Sequence, residues 1–178
     1  IDHCLVGSEM CIRDRNMAEA AAFATAYTTA YVSLIRRGEM KSDDVVLIHG
    51  SSGGVGMAAV QLAKMFGNTV IATGTSDEKL KIVKSWGADF ILNTLKDGVT
   101  SFREEVKDLT DGKGADVIYD PVGGDVFDES IRCINWNGRL LIVGFTSGRL
   151  PSLPVNIALI KGFSVICLLY TSDAADEP

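Results

Sequence analysis

Short apolar runs alternate with helical segments along most of the sequence, and no other feature constrains the fold as strongly. A strand buried on both faces forms a short continuous apolar run, whereas a helix shows a longer pattern of period 3.6. Strands that alternate with helices predict a parallel sheet covered on both faces, which is a doubly wound α/β fold in a single domain. The apolar runs lie at 45–49, 69–73, 89–93, 115–120 and 138–145.

The predicted helices lie before and between these runs. An Ala-rich helix at 17–37 precedes the first run, and a last strand is predicted to begin at Phe163. Gly38, Gly67 and Gly87 follow three of the helices, as expected where a helix ends. The remaining predicted helices lie at 55–66, 77–86, 99–110, 124–135 and 155–161.

The junction at Val45–Phe66 is the most informative strand–helix junction. A buried strand leads into Gly-Ser-Ser-Gly-Gly-Val-Gly at 50–56 and then directly into a helix. Gly53 lets the main chain approach a pyrophosphate, Gly56 lets the helix pack closely on the strand, and the helix N-terminus offers unpaired N–H groups to phosphates. The junction therefore predicts a Rossmann-type dinucleotide site around Gly53 and Gly56.

The glycine pattern leaves one alternative open and disfavours another. A strict G-x-G-x-x-G pattern needs glycine at position 51, where Ser51 stands, so a tight structural turn that binds no ligand is the other interpretation. If phosphates do bind, Ser51 and Ser52 are expected to add hydroxyl donors. The loop is not a Walker loop, because no Gly-Lys-Ser or Gly-Lys-Thr follows, and nucleotide hydrolysis is therefore disfavoured.

The residues after the second predicted strand indicate which dinucleotide binds. An NAD site usually has an acid about 20 residues after the glycine loop, where it binds the ribose 2′-hydroxyl. Here the strand ends in Thr-Gly-Thr-Ser at 73–76, and Asp77 comes later, in the first turn of a helix. Ser76 and Lys79 can bind a 2′-phosphate through a hydroxyl and an ammonium group. We therefore predict NADP(H) rather than NAD(H), with a merely solvated helix lysine as the alternative for Lys79.

Composition excludes several classes of partner. The 178 residues carry a net charge of -6, which disfavours nucleic-acid binding because phosphate contacts need clustered basic side chains. No apolar run reaches the roughly 18 residues of a membrane span and no leader is evident, so we expect no membrane partner and a cytoplasmic location. No Cys-x-x-Cys or His-Glu-x-x-His motif is present, so no metal site is expected. Cys133 is expected to be a small buried hydrophobe rather than a nucleophile.

Both ends of the sequence resemble peptides that arise when sequencing-adapter DNA is translated. The similarity covers VGSEMCIRDR at 6–15 and CLLYTSDAADE at 167–177. We therefore expect residues 1–15 and 167–178 to be non-native or disordered extensions. The domain between them, at 16–166, would then be truncated at both ends. The alternative is a natural N-terminal extension with a frayed C-terminus.

From Met17 to about Ile166 the sequence resembles a known enzyme family. It is similar to the nucleotide-binding half of the zinc-independent medium-chain dehydrogenases/reductases, in the NADPH:quinone oxidoreductase or zeta-crystallin group. The order and spacing of many segments carry the resemblance. These segments are AEAAAFATAYTTAY at 18–31, VLIHGSSGGVGMAAVQLAK at 46–64, TSDEKL at 75–80, GADFILN at 87–93, DVIYDPVGGDVF at 116–127 and GRLLIVGFTSG at 138–148.

The resemblance implies that Gly53, Gly54, Val55 and Gly56 lie along the pyrophosphate. It also implies cofactor-binding roles for residues outside the glycine loop. Helix packing is the alternative role for the two threonines among them, and a loop turn is the alternative for Gly123. The implied residues are Thr75, Ser76 and Lys79 near the adenosine 2′-phosphate, Pro121, Val122 and Gly123 beside the ribose and nicotinamide, Gly144 and Phe145 beside the nicotinamide, and Thr25 and Thr29 near its carboxamide.

The resemblance also implies a reaction. Members of this family transfer hydride from NADPH to a quinone or an α,β-unsaturated carbonyl, and they carry a GroES-like catalytic domain before the position of Met17. We expect the chain alone to bind the cofactor without efficient turnover, and no catalytic residue can be nominated in it. An enoyl reductase of the same superfamily and a non-catalytic dinucleotide-binding module are the alternatives. The resemblance further implies a small-molecule substrate and a homodimer formed through the last strand.

Overall fold

A parallel sheet of six strands forms the centre of the molecule in the computed structural model, which describes residues 17–96 and 98–168. In chain order the strands are β1 (Val45–Ile48), β2 (Thr69–Gly74), β3 (Phe90–Asn93), β4 (Leu95–Lys96), β5 (Val99–Thr100), β6 (Ala115–Asp120), β7 (Ile134–Ile142) and β8 (Ser164–Cys167). The six-stranded sheet has the order β3-β2-β1-β6-β7-β8, and β4 and β5 form a separate antiparallel hairpin. The chain thus builds outward from β1 in one direction and then from β6 in the other, which confirms the predicted doubly wound fold.

Helices cover both faces of this sheet. The first of them changes from α-helical to wider π-helical turns at Val32–Arg37. The α-helices in the described residues are α1 (Met17–Tyr31), α2 (Gly54–Met65), α3 (Asp77–Ser85), α4 (Arg103–Asp108), α5 (Gly124–Cys133) and α6 (Val155–Lys161). None of these helices has the length and apolar character that a membrane span requires.

Successive residues of the central strands point to two separate apolar clusters. Val46 and Ile48 of β1 pack in the cluster that includes residues of α1, α2 and α3, whereas Leu47 packs in the cluster that includes residues of α4, α5 and α6. All three side chains are fully buried. Because neither face of the sheet meets water, the strands are continuous apolar runs rather than alternating ones.

Two segments differ from the sequence-based prediction. The helix expected at 99–110 begins only at Arg103, because Gly98 adopts a φ of 80° and the β-branched Val99 and Thr100 pair with β4 instead. Strand β7 begins at Ile134 rather than at residue 138. Its pairing with β6 shifts register between the Ala115–Ile134 and Val117–Arg139 pairs, so the residues between them form an irregular bulge.

Candidate functional site

The glycine loop joins β1 to α2, as the sequence predicts. Gly50 has a φ of 55°, in the left-handed region that favours glycine. Gly53 precedes the first residue of α2, and its N–H donates to the Gly50 carbonyl oxygen at 3.0 Å. The turn brings the N-terminus of α2 to the carboxyl edge of the sheet. Unpaired N–H groups and the helix dipole favour an anion at such a position.

Three glycines of this loop differ in the space around them. A Cβ atom at Gly56 would lie 2.3 Å from the carbonyl oxygen of Gly50, so the backbone itself excludes any side chain there. A Cβ atom at Gly53 would lie 3.3 Å from the same oxygen, and one at Gly54 would meet nothing within 4 Å. Gly56 therefore serves close packing of helix on strand, as predicted, whereas Gly54 leaves open space beside the helix N-terminus.

Ser51 is bonded within the protein and is not free to bind a phosphate. Its side chain is buried, and its N–H and its hydroxyl both donate to the Thr73 carbonyl oxygen, at 3.0 and 2.8 Å. The expectation that Ser51 adds a hydroxyl donor to a phosphate is therefore wrong, because its only hydroxyl proton is already used. Ser52 is exposed, and its role stays a prediction.

The residues predicted to bind a 2′-phosphate lie together after β2, and they are largely exposed. Ser76 precedes the first residue of α3, where its Oγ accepts a long hydrogen bond of 3.5 Å from the Lys79 N–H. The Thr75 and Lys79 side chains are both exposed. Asp77, the nearest acid, accepts a hydrogen bond from Asn93 Nδ2 at 2.8 Å and belongs to the first turn of α3. The corner thus presents a hydroxyl and an ammonium group to solvent.

The loop after β6 is shaped by one buried carboxylate. Asp120 is fully buried, and its Oδ1 accepts hydrogen bonds from the N–H groups of Val122 and Gly123, at 2.8 and 2.9 Å. Its Oδ2 is buried without a hydrogen-bond partner in the described part of the chain. Gly123 has a φ of 69°, so glycine is required at this turn. Pro121 is buried, and Val122 is half-buried.

The loop after β7 lies against the loop after β6. The Thr146 N–H donates to the Pro121 carbonyl oxygen at 3.1 Å, and a Cβ atom at Gly144 would lie 3.2 Å from that same oxygen. A Cβ atom at Gly123 would lie 3.1 Å from Cδ1 of Phe145, whose ring is 44% exposed. The structure therefore brings the two predicted nicotinamide-side loops together in one wall.

The two threonines of α1 do not make a contact that points to a ligand. The Thr29 hydroxyl donates to the Thr25 carbonyl oxygen at 2.8 Å, within the same helix. Thr25 is exposed, and Thr29 is half-buried. This bond fits the alternative role within the helix, and the proposed contact with a carboxamide stays a prediction.

Sequence reasoning missed His49, which lies directly beneath the glycine loop. Its imidazole is fully buried, with Nδ1 2.7 Å from Thr73 Oγ1 and Nε2 2.8 Å from Ser130 Oγ. Burial lowers the pKa of His49 to about 4, although the charge of Asp120 acts in the opposite direction. A polar residue at the end of an otherwise apolar run was the only signal in the sequence. Its partners lie 24 and 81 residues away in the chain.

These features together fit a dinucleotide site. The open space at Gly54 lies at the start of α2, after β1, and Asp120 ends the neighbouring strand β6 at the same edge of the sheet. Ligands bind at this edge in doubly wound folds, where the strand order reverses between β1 and β6. Among residues 17–96 and 98–168, no three His, Cys, Asp or Glu side chains come together as a possible metal site.

Comparison with known proteins gives consistent matches. A sequence model of the family described as zinc-binding dehydrogenase matches residues 54–177. The chain is 38% identical over 164 residues to the quinone oxidoreductase-like protein 2 homolog of Nematostella vectensis. That alignment covers 92% of this chain and 44% of the relative, so the chain spans about half the length of the curated relatives it matches.

Solved structures match over most of the chain. Mycobacterial Rv1454c complexed with NADPH has a TM-score of 0.79 and 32% identity, over 89% of this chain and 48% of that one. The nucleotide-binding subdomain of the enoylreductase domain of PpsC from Mycobacterium tuberculosis has a TM-score of 0.73 and 31% identity. In that comparison 82% of this chain and 80% of the subdomain are covered.

Proposed function

The chain belongs to the zinc-binding dehydrogenase family, and we propose that it is the NADP(H)-binding half of a zinc-independent reductase. The proposed reaction is hydride transfer from NADPH to a quinone or an α,β-unsaturated carbonyl. One observation carries the proposal: the N-terminus of α2 faces open space at Gly54, at the edge of the sheet where β1 and β6 diverge. The similarity to a mycobacterial protein complexed with NADPH supports the choice of dinucleotide.

The cofactor supplies the hydride, and the residues of this chain bind and orient it. Main-chain N–H groups at the start of α2 would hold the pyrophosphate, and the corner after β2 would hold the 2′-phosphate. The loops after β6 and β7 would form the wall beside the nicotinamide, with Thr25 and Thr29 near its carboxamide. The proposed binding residues are Ser52, Gly53, Gly54, Val55 and Gly56, then Thr75, Ser76 and Lys79, and then Pro121, Val122, Gly123, Gly144 and Phe145.

Binding of the cofactor is tested with a pair of glycine variants. Both Gly54 and Gly67 have space for a methyl group, but only Gly67 has a positive φ, of 87°. Gly54→Ala should keep or slightly raise stability, by about 0.5 kcal/mol, and should raise the Kd for NADPH at least about tenfold by filling the space beside the helix. Gly67→Ala should lose about 1 kcal/mol of stability and leave the Kd unchanged.

Isothermal titration calorimetry with NADPH and NADH on the wild-type chain and both variants gives the readout. Tighter binding of NADPH than of NADH by the wild type, with loss only in Gly54→Ala, is the expected result. A folded wild-type chain that takes up neither dinucleotide would contradict the proposal. Equal Kd values for wild type and Gly54→Ala would contradict the proposed position of the pyrophosphate at this loop.

Turnover is a separate part of the proposal. We propose that this chain binds NADPH without efficient turnover, and that the longer protein joins it to a catalytic half that completes the substrate cleft. NADPH oxidation with a quinone should therefore be slow for the chain and fast for the longer polypeptide. If the longer polypeptide oxidises NADPH with neither quinones nor enones, a non-catalytic dinucleotide-binding module is the better description.

An enoyl reductase is the second candidate function. The match to the PpsC subdomain favours it, because this chain covers 80% of that subdomain. The longer polypeptide should be assayed with an enoyl thioester and a quinone at equal concentrations. A kcat/KM at least about tenfold higher for the thioester would favour the enoyl reductase, and the reverse ratio would favour the quinone reductase.

The proposed assembly is a homodimer through β8, the strand at one end of the sheet. Strand β7 is its only sheet neighbour among the described strands, so β8 has an outer edge, although Arg37 donates to the Cys167 carbonyl oxygen there at 3.2 Å. Light scattering of the chain should then give about twice the monomer mass. A monomer at all accessible concentrations would remove the dimer from the proposal.

A further inference from the structure

His49 connects the elements that carry the proposed cofactor site. Its backbone N–H donates to the Tyr119 carbonyl oxygen of β6 at 3.0 Å. Its imidazole contacts Thr73 of β2 through Nδ1 and Ser130 of α5 through Nε2. The residue follows β1 directly and precedes Gly50 of the glycine loop. One buried residue thus joins the strands on both sides of β1 to α5: its backbone contacts β6, and its side chain contacts β2 and α5.

The hydrogen-bond partners determine which ring nitrogen carries the proton. The Ser130 hydroxyl donates its only proton to the Val126 carbonyl oxygen, at 2.7 Å. Ser130 Oγ must therefore accept at its 2.8 Å contact with His49, so Nε2 carries the hydrogen. Nδ1 is then an acceptor, and the Thr73 hydroxyl donates to it at 2.7 Å. This arrangement satisfies both ring nitrogens of a neutral imidazole.

A chain of contacts leads from this imidazole to the phosphate loop. Thr73 binds His49 through its hydroxyl, and its carbonyl oxygen accepts both the N–H and the hydroxyl of Ser51. Ser51 is the second residue of the glycine loop and is fully buried. Any shift of Thr73 therefore moves the loop whose main chain would hold the pyrophosphate.

We propose that His49, as the neutral Nε2–H tautomer, is a positioning residue that holds the phosphate loop and helix α5 in the geometry that binds NADPH. The inference rests on the proposed function. His49 touches neither solvent nor ligand, because it is fully buried and both ring nitrogens are bonded. It therefore acts through Thr73 and Ser130 and is not a catalytic residue. Its buried surroundings, with the Phe102 ring centroid 5.0 Å away, keep the ring neutral.

The sharpest test changes the partner Thr73 rather than His49 itself. Thr73→Val keeps the shape of the side chain but removes the hydroxyl donor to Nδ1. Thr73→Ser keeps the hydroxyl and is the matched control. Thr73→Val should raise the Kd for NADPH about fivefold to tenfold, the expected effect of one buried hydrogen bond, whereas Thr73→Ser should stay within about twofold of wild type. Ser130→Ala should behave like Thr73→Val.

Coupling to the phosphate loop distinguishes positioning from a general loss of stability. If the effect passes through Ser51, then Thr73→Val should weaken NADPH binding less in a Ser51→Ala background than in the wild type. All Kd values are measured at a temperature well below the unfolding of each variant. Strictly additive changes, or equal Kd values for wild type, Thr73→Val and Ser130→Ala, would overturn the inference.

The tautomer of His49 can be tested on the wild-type chain, independently of the variants. The ¹⁵N NMR spectrum of His49 at neutral pH should show a protonated Nε2 and an unprotonated Nδ1. An Nδ1–H tautomer or an imidazolium would overturn the inference even if NADPH binds. Failure of the wild-type chain to bind any dinucleotide would instead overturn the proposed function, and the NMR result would still report on the His49 network.

Discussion

The phosphate loop and the corner after β2 lie at the same edge of the sheet, but they are built in opposite ways. The loop is fixed from below by the fully buried His49 and Ser51, and Gly56 packs against its backbone. The corner exposes Thr75 and Lys79, and the Ser76 hydroxyl makes only a 3.5 Å hydrogen bond. We therefore propose that the fold sets where a dinucleotide binds, whereas exposed side chains at the corner set which dinucleotide is preferred.

The largest effect on stability is expected from Gly56→Ala, which changes the phosphate loop. The added Cβ atom would lie 2.3 Å from the Gly50 carbonyl oxygen and 2.8 Å from Cα of Ser51, both backbone atoms that cannot rotate away. We expect a loss of roughly 3 kcal/mol of stability, at the upper end for overpacking, and a Tm lower by roughly 10 °C. Thermal unfolding of the wild type and of Gly56→Ala measures this difference in Tm. A stable Gly56→Ala variant would show that the loop is not rigid.

The pH dependence of stability probes the same region through His49. Its pKa is lowered from 6.5 to about 4 in the folded chain, so between these values the unfolded state binds more protons. The stability contributed by the neutral ring is complete above pH 6.5 and is lost as the pH falls toward 4. The total loss is about 3 kcal/mol by linkage.

Urea unfolding between pH 4 and pH 7, for the wild type and His49→Gln, measures this dependence. The difference in unfolding free energy between the two proteins should shrink as the pH falls, because glutamine does not titrate. The second histidine, His3, is present in both proteins and cancels. Parallel curves would mean that folding does not lower the pKa of His49.

The corner is tested by Lys79→Glu, with Lys81→Glu as the matched control. Both lysines are exposed on α3, and only Lys79 lies in its first turn, beside Ser76. Reversing the charge at Lys79 should raise the Kd for NADPH at least about tenfold and change that for NADH less than about twofold. Neither variant should change stability much. An equal loss of affinity for both dinucleotides would show that Lys79 does not bind the 2′-phosphate.

The sequence could predict the features that local patterns determine. The order of strands and helices and the place of the glycine loop depend on local patterns, such as the apolar run before Gly50. The role of Gly56 also follows from its fixed place after the loop. The hairpin at 95–100 could not be foreseen, because the amphipathic pattern at 99–110 is equally compatible with a longer helix.

Contacts between residues that are distant in the sequence could not be predicted either. Thr73 and Ser130 lie 24 and 81 residues from His49 in the sequence, and only the folded chain shows that both contact its ring. The direction of the Ser51 hydroxyl is a similar case, since its acceptor is 22 residues away. A local pattern indicates that a serine lies in a phosphate loop but not where its proton points.

The smallest effect is expected at Asp89, which lies just before β3. It accepts hydrogen bonds from Lys64 Nζ at 2.8 and 3.0 Å and from the Val70 N–H at 2.7 Å. Partial burial raises the pKa of Asp89, but the bonds from Lys64 and Val70 and the charges of Lys64 and Lys84 outweigh it, so the pKa lies below the ordinary 3.8. Its contribution is therefore present above pH 3.8 and is lost as the pH falls through the lowered value.

Asp89→Asn should cost only about 0.5 kcal/mol at neutral pH, because solvent screens this partly exposed ion pair. The cost should disappear at acid pH and at high salt, and calorimetric Kd values for NADPH and NADH should stay unchanged. The position is informative because Asp89 lies at the amino ends of β2 and β3, whereas the corner lies at their carboxyl ends. A change in the preference between NADPH and NADH would mean that the corner is held in place through these strands, and the contrast between a fixed loop and an open corner would then fail.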